Sequence, residues 1–381
     1  MPTHSSNSSS NSLWALFCIF LKLGCTSFGG PVAHLGYFRH EFVTRRRWLS
    51  EAEYADLVGL CQFLPGPASS QVGMAIGHRM SGVPGALAAW LGFTLPSAVL
   101  MLAAAALLTP EWASSPVVHG LKIAAVVIVA HAVLGMWDAL CPDAMRKLIA
   151  VASAALLLVI QHAGLPLALI AVAGIIGWYR TPRSERVPIQ QPSKRYLGTF
   201  AMLLVVPMFL KEAFPVAVFS AFYTAGALVF GGGHVVLPLL EANTVGSGWI
   251  SANDFLAGYG LAQAVPGPLF TFATYLGAQI GGIWMAVLAT LAIFLGGFLL
   301  LMGVLPVWSS LKNNPSARSS LDLVNATVVG ILAAAWVNPV AVSGLVDLHS
   351  GLVALSGFVL LQGAKAPPLA VVLFCAAAAS L

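Results

Sequence analysis

The chain has 381 residues, of which 59% are hydrophobic and 8% are charged, and its net charge at pH 7 is +5. Soluble domains carry roughly 25% charged residues, so this composition excludes an ordinary water-soluble fold. Mean hydropathy is +0.88, and many segments reach the ~20 apolar residues that a membrane-crossing helix needs. The composition predicts an all-α polytopic membrane protein, in which the modest positive charge bears on orientation rather than on nucleic acid.

Taken in chain order, the predicted elements are a polar tail, two broken apolar segments and a series of full spans. The tail at 1–12 is rich in Ser and Asn, which predicts disorder, and it lacks the charged start and cleavage site of a signal peptide. Apolar segments interrupted by FGGP and PGP follow the tail. The full spans expected in this half lie near 84–109, 117–141, 146–162 and 164–180.

The sequence contains an internal repeat. Four landmarks of the first half recur in the second half at an offset of 200 to 202 residues. They are FGGP at 28–31 and FGGG at 230–233, WLS at 48–50 and WIS at 249–251, GLCQFLPGP at 59–67 and GLAQAVPGP at 260–268, and IGHRMSG at 76–82 and LGAQIGG at 276–282. We therefore expect two homologous helical domains.

The domain boundaries follow from the repeat and from the segment between its two copies. After the tail at 1–12, the first domain occupies 13–180 and the second occupies 214–381. Between them, 181–213 comprises a basic, proline-rich linker and one apolar helix near 196–210 that has no counterpart in the other half. An unmatched helix at this point turns the second domain over in the membrane, so the predicted fold is an inverted repeat.

Charge placement predicts the same inversion, because Lys and Arg concentrate in cytoplasmic loops. The first-half loop RHEFVTRRRW at 39–48 carries four arginines, whereas the matching loop EANTVGSGWISAND at 241–254 carries none. Equivalent loops with opposite charge belong on opposite faces of the membrane. The FGG and PGP segments must then enter and return on one side, as re-entrant pairs of half-helices. The alternative is that each of these segments crosses the membrane fully.

The repeated breaks carry the functional prediction. Pro and Gly interrupt an apolar helix at each PGP, with a glutamine three residues upstream in both copies. Irregular backbone at membrane depth is tolerated only where it is buried in protein or lines a wet cavity. A helix that restarts after a break presents free N–H groups and a partial positive charge, which suit an anion. We predict an anion site where up to four such N-termini meet, against the alternative that PGP is only a tight turn between packed helices.

The predicted substrate-binding residues lie in or beside the four breaks. In the first half they are Gly29, Gly30, Pro31, His34, Gln62, Pro65, Gly66, Pro67, Ser69, Ser70 and Gln71. In the second half they are Gly231, Gly232, Gly233, His234, Gln263, Pro266, Gly267, Pro268 and Thr271. Side-chain donors are needed because each helix terminus contributes only ~0.3–1 kcal/mol, whereas burying an ion costs several kcal/mol.

Charged residues near the first break each have two interpretations. Lys22, inside the first apolar segment, is either part of the site or a snorkelling surface lysine. The loop arginines either funnel anions from the cytoplasm or only set the topology; they are Arg39, Arg45, Arg46 and Arg47. Glu41, in the same loop, either carries protons or forms a salt bridge.

The segment FGGPVAHLGYFRHEFVTRRRWLSEAEYADLVGLCQFLPGPASSQ at 28–71 resembles the signature region of the chromate ion transporter family, and the two-domain length resembles its long-chain form. The second half departs from the pattern, with Gly233 where Pro31 stands in the first. The resemblance implies an inner-membrane secondary transporter that exports chromate and confers resistance, with uptake or exchange of sulfate as the alternative. It implies a small oxyanion and the lipid bilayer as partners, and a homodimer is left open.

Signals for other classes of protein are weak. The sequence has no HExxH, GxSxG or clustered Cys/His pattern, and GGGH at 231–234 lacks the GK[ST] ending of a phosphate loop. The five cysteines have no paired spacing, which favours small core residues over disulfides or metal ligands. We expect no cofactor, metal or nucleic acid. A membrane-embedded enzyme or scaffold is the hypothesis from another class.

Overall fold

The computed structural model describes residues 12–28, 30–107, 116–160, 162, 164–181, 192–210, 213–230, 235–311 and 314–380. Within these ranges the chain is helical almost throughout and has no strand. The first half comprises α1 (Leu13–Thr26), α2 (Gly30–Arg39), α3 (Glu51–Phe63), α4 (Ala68–Leu107), α5 (Pro116–Leu140), α6 (Ala144–Val159) and α7 (Leu165–Arg180). After α8 (Lys194–Phe209), the second half comprises α9 (Phe214–Ala227), α10 (Val236–Thr244), α11 (Ala252–Ala264), α12 (Phe272–Val304), α13 (Pro315–Ala335), α14 (Leu348–Gln362) and α15 (Pro368–Ala378).

Short turns of helix connect or extend some of these elements. They are π-helical at His40–Arg45 and Trp336–Ala341, 3-10 at Leu269–Thr271 and Leu305–Val307, and α-helical at Trp308–Leu311 and Val342–Gly344. Four stretches of the described chain are long and apolar enough to cross a membrane: Ala68–Leu107, Pro116–Leu140, Leu269–Val307 and Pro315–Gly344. The protein is therefore an all-α polytopic membrane protein, as its composition predicts.

Helix α4 and its counterpart α12 each reverse direction once. The reversals lie at Ser81–Gly82 and at Gly281–Gly282, where the second glycine has a φ of 62° and 70°, respectively. Positive φ values of this kind are open to glycine at no steric cost. Each reversal divides its helix into a short arm and a long arm that pack antiparallel, and we name these α4a (68–80), α4b (83–107), α12a (272–280) and α12b (283–304).

In the first half, both broken segments return to the side from which they enter. Arg79, at the end of α4a, forms an ion pair with Glu53, in the first turn of α3. The ring of Phe20 in α1 lies 5.7 Å from that of Phe38 and 5.1 Å from that of Phe42, which follow the next break. A straight helix would separate Phe20 from Phe38 by about 27 Å. The pairs α1–α2 and α3–α4a are therefore re-entrant hairpins.

The second half repeats these hairpins. The ring of Phe214, at the start of α9, lies 5.6 Å from that of Trp249, beyond the end of α10. The ring of Phe255 in α11 lies 5.1 Å from that of Phe272 in α12a, although a break separates the two residues. Hairpins α9–α10 and α11–α12a thus also enter and return on one side. The re-entrant interpretation of the sequence is confirmed in the geometry of both halves.

The two sets of hairpins open at opposite ends of the molecule. Gln279, at the end of α12a, donates from Nε2 to the carbonyl oxygen of Ala105 at 3.0 Å. Ala105 lies 23 residues, or about 35 Å, along α4b from the reversal at Gly82 that marks the base of the first-half hairpins. The base of the second-half hairpins is therefore a bilayer thickness away from the first. The halves form an inverted repeat, as the sequence predicts.

The remaining helices interlock the halves. Helices α6 and α7 of the first half pack on α13 of the second, while α14 and α15 of the second half pack on α5 of the first. At the base of the second-half hairpins, Lys122 of α5 donates from Nζ to Oδ1 of Asn253 at 2.8 Å. At the opposite end, Arg146 of α6 pairs with Asp143 and, across the halves, with Asp322. Each half thus completes the packing of the other.

The unmatched helix predicted near 196–210 is α8, and it covers one side of the second half. It packs on α9 and α12, where the hydroxyl of Tyr223 donates to the carbonyl oxygen of Phe200 at 3.1 Å. Because this one helix has no counterpart in the other half, the second half starts from the opposite face of the membrane. Helix α8 is therefore the element that makes the inversion topologically possible.

Candidate functional site

The breaks converge, and each PGP is hydrogen-bonded to the break of the other half. The N–H of Gly66 donates to the carbonyl oxygen of Val229 at 2.7 Å, and the N–H of Gly267 donates to that of Ser27 at 2.9 Å. The two bonds are related by the internal repeat. They bring the tips of the re-entrant hairpins together inside the protein, which is where the sequence places the anion site.

The central glycine of each PGP adopts a conformation that other residues rarely take. Gly66 has a φ of 128° and Gly267 a φ of 96°. A Cβ atom on Gly66 would lie 2.9 Å from Nε2 of Gln71, and one on Gly267 would lie 2.9 Å from Oγ of Ser97. Both the positive φ and the close approach of neighbours therefore require glycine at the tips.

Gln71 fastens the first tip to the second half. Its side chain is fully buried, and Nε2 donates to the carbonyl oxygens of Pro65 and Gly297, each at 3.1 Å. Both N–H groups of the amide therefore donate to backbone carbonyl oxygens. The amide oxygen Oε1, an acceptor, is buried and has no partner among the described residues. This geometry fits a positioning residue better than a donor to an anion.

His34 ties together the elements around the first tip. It is fully buried, its Nδ1 lies 3.3 Å from Oγ of Ser69, and its ring contacts that of Phe93 edge-on at 5.2 Å. Its Nε2 has no hydrogen-bond partner among the described residues. One imidazole therefore links α2 to both arms of α4. Of the predicted donors, His34 and Ser69 are brought together directly.

Three buried hydroxyl groups of the first half lack a hydrogen-bond partner among the described residues. They are Oγ of Ser70, just after the first PGP, and Oγ of Ser27 and Oγ1 of Thr94, in segments that contact Gly267 of the second tip; the three residues are at most 3% exposed. Buried polar atoms nearly always have a hydrogen-bond partner, so a buried hydroxyl without one in the protein is a candidate to bind a ligand. Ser27 and Thr94 were not among the predicted site residues. The available signal was that Thr94 and Ser97 are the only hydroxyl residues in the apolar arm α4b.

The other predicted residues fall into four groups. Gln62 is exposed, whereas its counterpart Gln263 is half-buried and keeps Nε2 without a partner in the described chain. Thr271 uses its hydroxyl to cap its own turn, donating to the carbonyl oxygen of Pro268 at 2.9 Å. Gly30, with a φ of 75°, begins α2 ahead of Pro31. Gly29, Gly231, Gly232, Gly233 and His234 lie outside the described residues.

Lys22 and the loop arginines occupy different surroundings. Lys22 is exposed on α1, nine residues or about 14 Å from the start of that helix. The arginines are largely paired with carboxylates: Arg39 with Glu51, and Arg45 and Arg46 with Glu41. Arg47 is exposed, with a φ of 54°. The two carboxylates offset two of the four positive charges, so the funnel stays a prediction, and Glu41 forms the salt bridges that were the alternative to proton transfer.

The salt bridges of Glu41 outweigh its partial burial. Burial alone would raise the pKa of this carboxyl group, but the guanidinium groups of Arg46 and Arg45 hold the pKa below its ordinary value of 4.5. Glu41 lies in the turn after α2, at the base of the first-half hairpins. It is therefore an anchor for that turn, ionised at neutral pH.

Convergent broken helices in an inverted repeat are the architecture of secondary transporters, which hold their substrate at such breaks near mid-membrane. Comparison with known proteins identifies the family. The chain belongs to the chromate transporter family, whose family model matches residues 14–178 and again residues 216–380. This membership indicates a membrane transporter rather than an enzyme.

Individual relatives agree with the family. The chain is 29% identical over 350 residues to the chromate transport protein of Pseudomonas aeruginosa, covering 85% of this chain and 80% of that protein. It is 30% identical over 365 residues to a probable chromate transport protein of Synechococcus elongatus, covering 90% and 89%. An uncharacterized transporter of Methanocaldococcus jannaschii is 28% identical over 341 residues, covering 84% and 82%. No solved structure matches the chain significantly.

Proposed function

We propose that this chain is a secondary transporter that exports chromate across the inner membrane and so confers chromate resistance. The observation that carries the proposal is the crosswise bonding of the two PGP tips, beside which Ser27, Ser70 and Thr94 have buried, unpartnered hydroxyl groups. The relatives named as chromate transport proteins supply the choice of anion. The proposed working units are the two domains at 13–180 and 214–381, joined by the linker and α8.

The electrostatics of the tips suit a tetrahedral dianion. Helices α2 and α4 begin at Gly30 and Ala68, and their first turns present N–H groups that have no partner inside the helix. Hydroxyl groups add donors that bond strongly to a charged acceptor. Lys22, about 14 Å along α1, is a cation close to this depth. Together with the helix dipoles, these donors offset the free-energy cost of desolvating a dianion, which the dipoles alone do not.

Orientation and driving force follow from charge. The α2–α3 turn carries Arg39 and Arg45 to Arg47, and the same end of the molecule carries Arg79 and Arg146. Basic ends face the cytoplasm, so the first-half hairpins open inward. A dianion leaving a cell that is negative inside is assisted by about 2.3 kcal/mol per charge for each 100 mV. The membrane potential is therefore a sufficient driving force for export without a coupled proton.

Chromate accumulation in a transport-deficient host tests this function. Cells that express the chain should accumulate less chromate and tolerate more of it than cells that carry the empty vector. Dissipating the membrane potential should remove most of the difference, whereas abolishing only the pH gradient should not. Unchanged accumulation and tolerance would contradict export.

Uptake or exchange of sulfate is the second candidate, because hydroxyl and N–H donors recognise any small tetrahedral dianion. Everted and right-side-out vesicles separate the two candidates. Chromate flux that runs only outward with respect to the cell, and that resists a large excess of sulfate, supports export of chromate. Inward flux that sulfate abolishes supports the alternative. A membrane-embedded enzyme or scaffold predicts no anion flux in either kind of vesicle.

A further inference from the structure

The structure itself gives the correspondence between the halves, helix by helix. Gly24 of α1 packs against the backbone of Phe93, and Gly226 of α9 packs in the same way against Ile293. Helices α1 and α9 therefore match at an offset of 202 residues, and α4b and α12b at an offset of 200. The reversals at Gly82 and Gly282 give the same offset of 200 for the long arms.

With this correspondence, the positions around the two tips differ sharply in polarity. Directly after the PGP the offset is 201, as between Pro67 and Pro268. The matched pairs are Ser27 and Val229, Ser69 and Phe270, Ser70 and Thr271, and Thr94 and Phe294. Four hydroxyl residues of the first half thus correspond, through the repeat, to three apolar residues and one threonine of the second half.

The second-half positions are closed by packing. Phe270 and Phe294 are each 2% exposed, their ring centroids lie 5.9 Å apart, and Phe294 also contacts the ring of Trp90 at 5.8 Å. The one hydroxyl that is kept, that of Thr271, is used on the carbonyl oxygen of Pro268. Two positions that carry hydroxyl groups in the first half, Ser69 and Thr94, are therefore occupied by packed aromatic rings in the second.

We propose that each chain holds one oxyanion, on the first-half side of the tips, with the hydroxyl groups of Ser70 and Thr94 as ligands, and that the corresponding place in the second half holds none. This rests on the proposed function and specifies its site. The start of α4a, where Ser70 lies, and the long arm that carries Thr94 contribute one donor each. Among the described residues beside the second PGP, Gln263 keeps an unpartnered donor, its Nε2.

A pair of isosteric substitutions tests which hydroxyl groups are ligands. Thr94→Val removes a hydroxyl that bonds no described protein group, so the melting temperature of the protein should not fall. It should weaken oxyanion binding roughly 10- to 100-fold, the usual effect of losing a hydrogen bond to a charged group. The matched control is Thr290→Val in α12b, where Oγ1 lies 2.7 Å from that of Thr274 and donates to the carbonyl oxygen of Ala286. That change should lower the melting temperature by roughly 2 °C and leave binding unchanged.

The measurement is equilibrium dialysis of the purified full chain in lipid nanodiscs against chromate and, separately, against sulfate. One oxyanion per chain, weakened by Thr94→Val and by Ser70→Ala, supports the proposal. Two equivalent oxyanions per chain would overturn it, as would wild-type affinity in both variants with wild-type melting temperatures. If the unmodified chain binds and transports no oxyanion, the proposed function itself fails, and that result is distinct from failure of the single-site proposal.

Discussion

The N–H of Gly66 donates a hydrogen bond of 2.7 Å to the carbonyl oxygen of Val229, so the tip of one domain is held by the broken segment of the other. The mirror bond, from Gly267 to Ser27, holds the second tip in the same way. A motion that opens the site to one face of the membrane must either carry both tips as one unit or break a buried backbone hydrogen bond. The tips are therefore where the two halves are coupled.

Substituting either tip glycine by alanine should destabilise the protein. Gly66→Ala and Gly267→Ala each place a Cβ on a residue with positive φ, and each brings that atom within 2.9 Å of a buried side-chain atom. We expect a loss of about 2 kcal/mol or more in each case. Thermal melting of the purified variants and the yield of folded protein measure it.

Gly36→Ala is the matched control for these variants. Gly36 lies inside α2, and a Cβ there has no neighbour within 4 Å. Alanine is favoured over glycine in a helix, so this variant should be as stable as the wild type or more so. Wild-type melting temperatures for both tip variants would show that the tips do not need glycine.

Replacing Gln71 by leucine should reduce stability without changing oxyanion affinity in the protein that does fold. The change leaves the carbonyl oxygens of Pro65 and Gly297 without their donor, and a buried unsatisfied group costs about 1–3 kcal/mol. Thermal melting and chromate binding, measured on the same preparation, separate the two effects. The exposed Gln62→Leu is the control for the loss of an amide. An unchanged melting temperature with lost binding would make Gln71 a ligand instead.

The role of Gln71 shows where inference from the sequence ends. The repeat, the four breaks and the inversion can be predicted from the sequence. Pro and Gly interrupt helices wherever they occur, and clusters of Arg indicate which loops face the cytoplasm. Whether a buried side chain is free to bind a ligand depends on its neighbours in space, and those come from residues 226 positions away in the case of Gly297. The same limit applies to Thr94: its place in an apolar arm can be read from the sequence, but the absence of a partner for its hydroxyl among the described residues cannot.

The arginine loop shows the same limit for charge. Counting residues gives four positive charges between Arg39 and Arg47, which suggests a funnel for anions. The fold brings Glu51 beside Arg39 and places Glu41 between Arg45 and Arg46. Glu41 and Glu51 could be read from the sequence, but which arginines they neutralise depends on how the π-helical turn after α2 folds back. The sequence therefore predicts the membrane topology better than it predicts the electrostatic potential around a given loop.

Cysteine labelling should place Thr44 and Ser247 on opposite faces of the membrane. Both residues are exposed, and they lie at the bases of the first-half and second-half hairpins, respectively. Single cysteines at these positions, in a chain whose five native cysteines have been replaced, are treated with a membrane-impermeant maleimide in intact cells and after permeabilisation. Only the Ser247→Cys chain should react in intact cells. Reaction of both variants in intact cells would contradict the inversion.

The contribution of Glu41 to stability should depend on pH. Because its folded-state pKa is held below 4.5, the stabilisation is full above that pH and is lost as pH falls through the folded-state pKa. Glu41→Gln should cost about 1–2 kcal/mol at pH 7, less than a fully buried pair because Arg45 is half exposed. Melting curves between about pH 3 and about pH 7 should show the variant and wild type converging at the acidic end, where the carboxyl group of Glu41 is protonated. Glu51→Gln, in an exposed pair, should have little effect at any pH, and a constant difference for Glu41→Gln would refute the ionic explanation.

Lys22 provides a test of the charge needed at the site. Lys22→Gln removes a cation that lies about 14 Å along α1, near the depth of the tips. If the ammonium group offsets the charge of the bound dianion, KM for chromate should rise roughly tenfold while the melting temperature is unchanged, since the side chain is exposed. Lys22→Arg should keep most of the affinity. Lys147→Gln, an exposed lysine at the start of α6, controls for the change in net charge. An equal rise in KM for Lys22→Gln and Lys147→Gln would mean that Lys22 acts through the surface potential of the protein and not at the site.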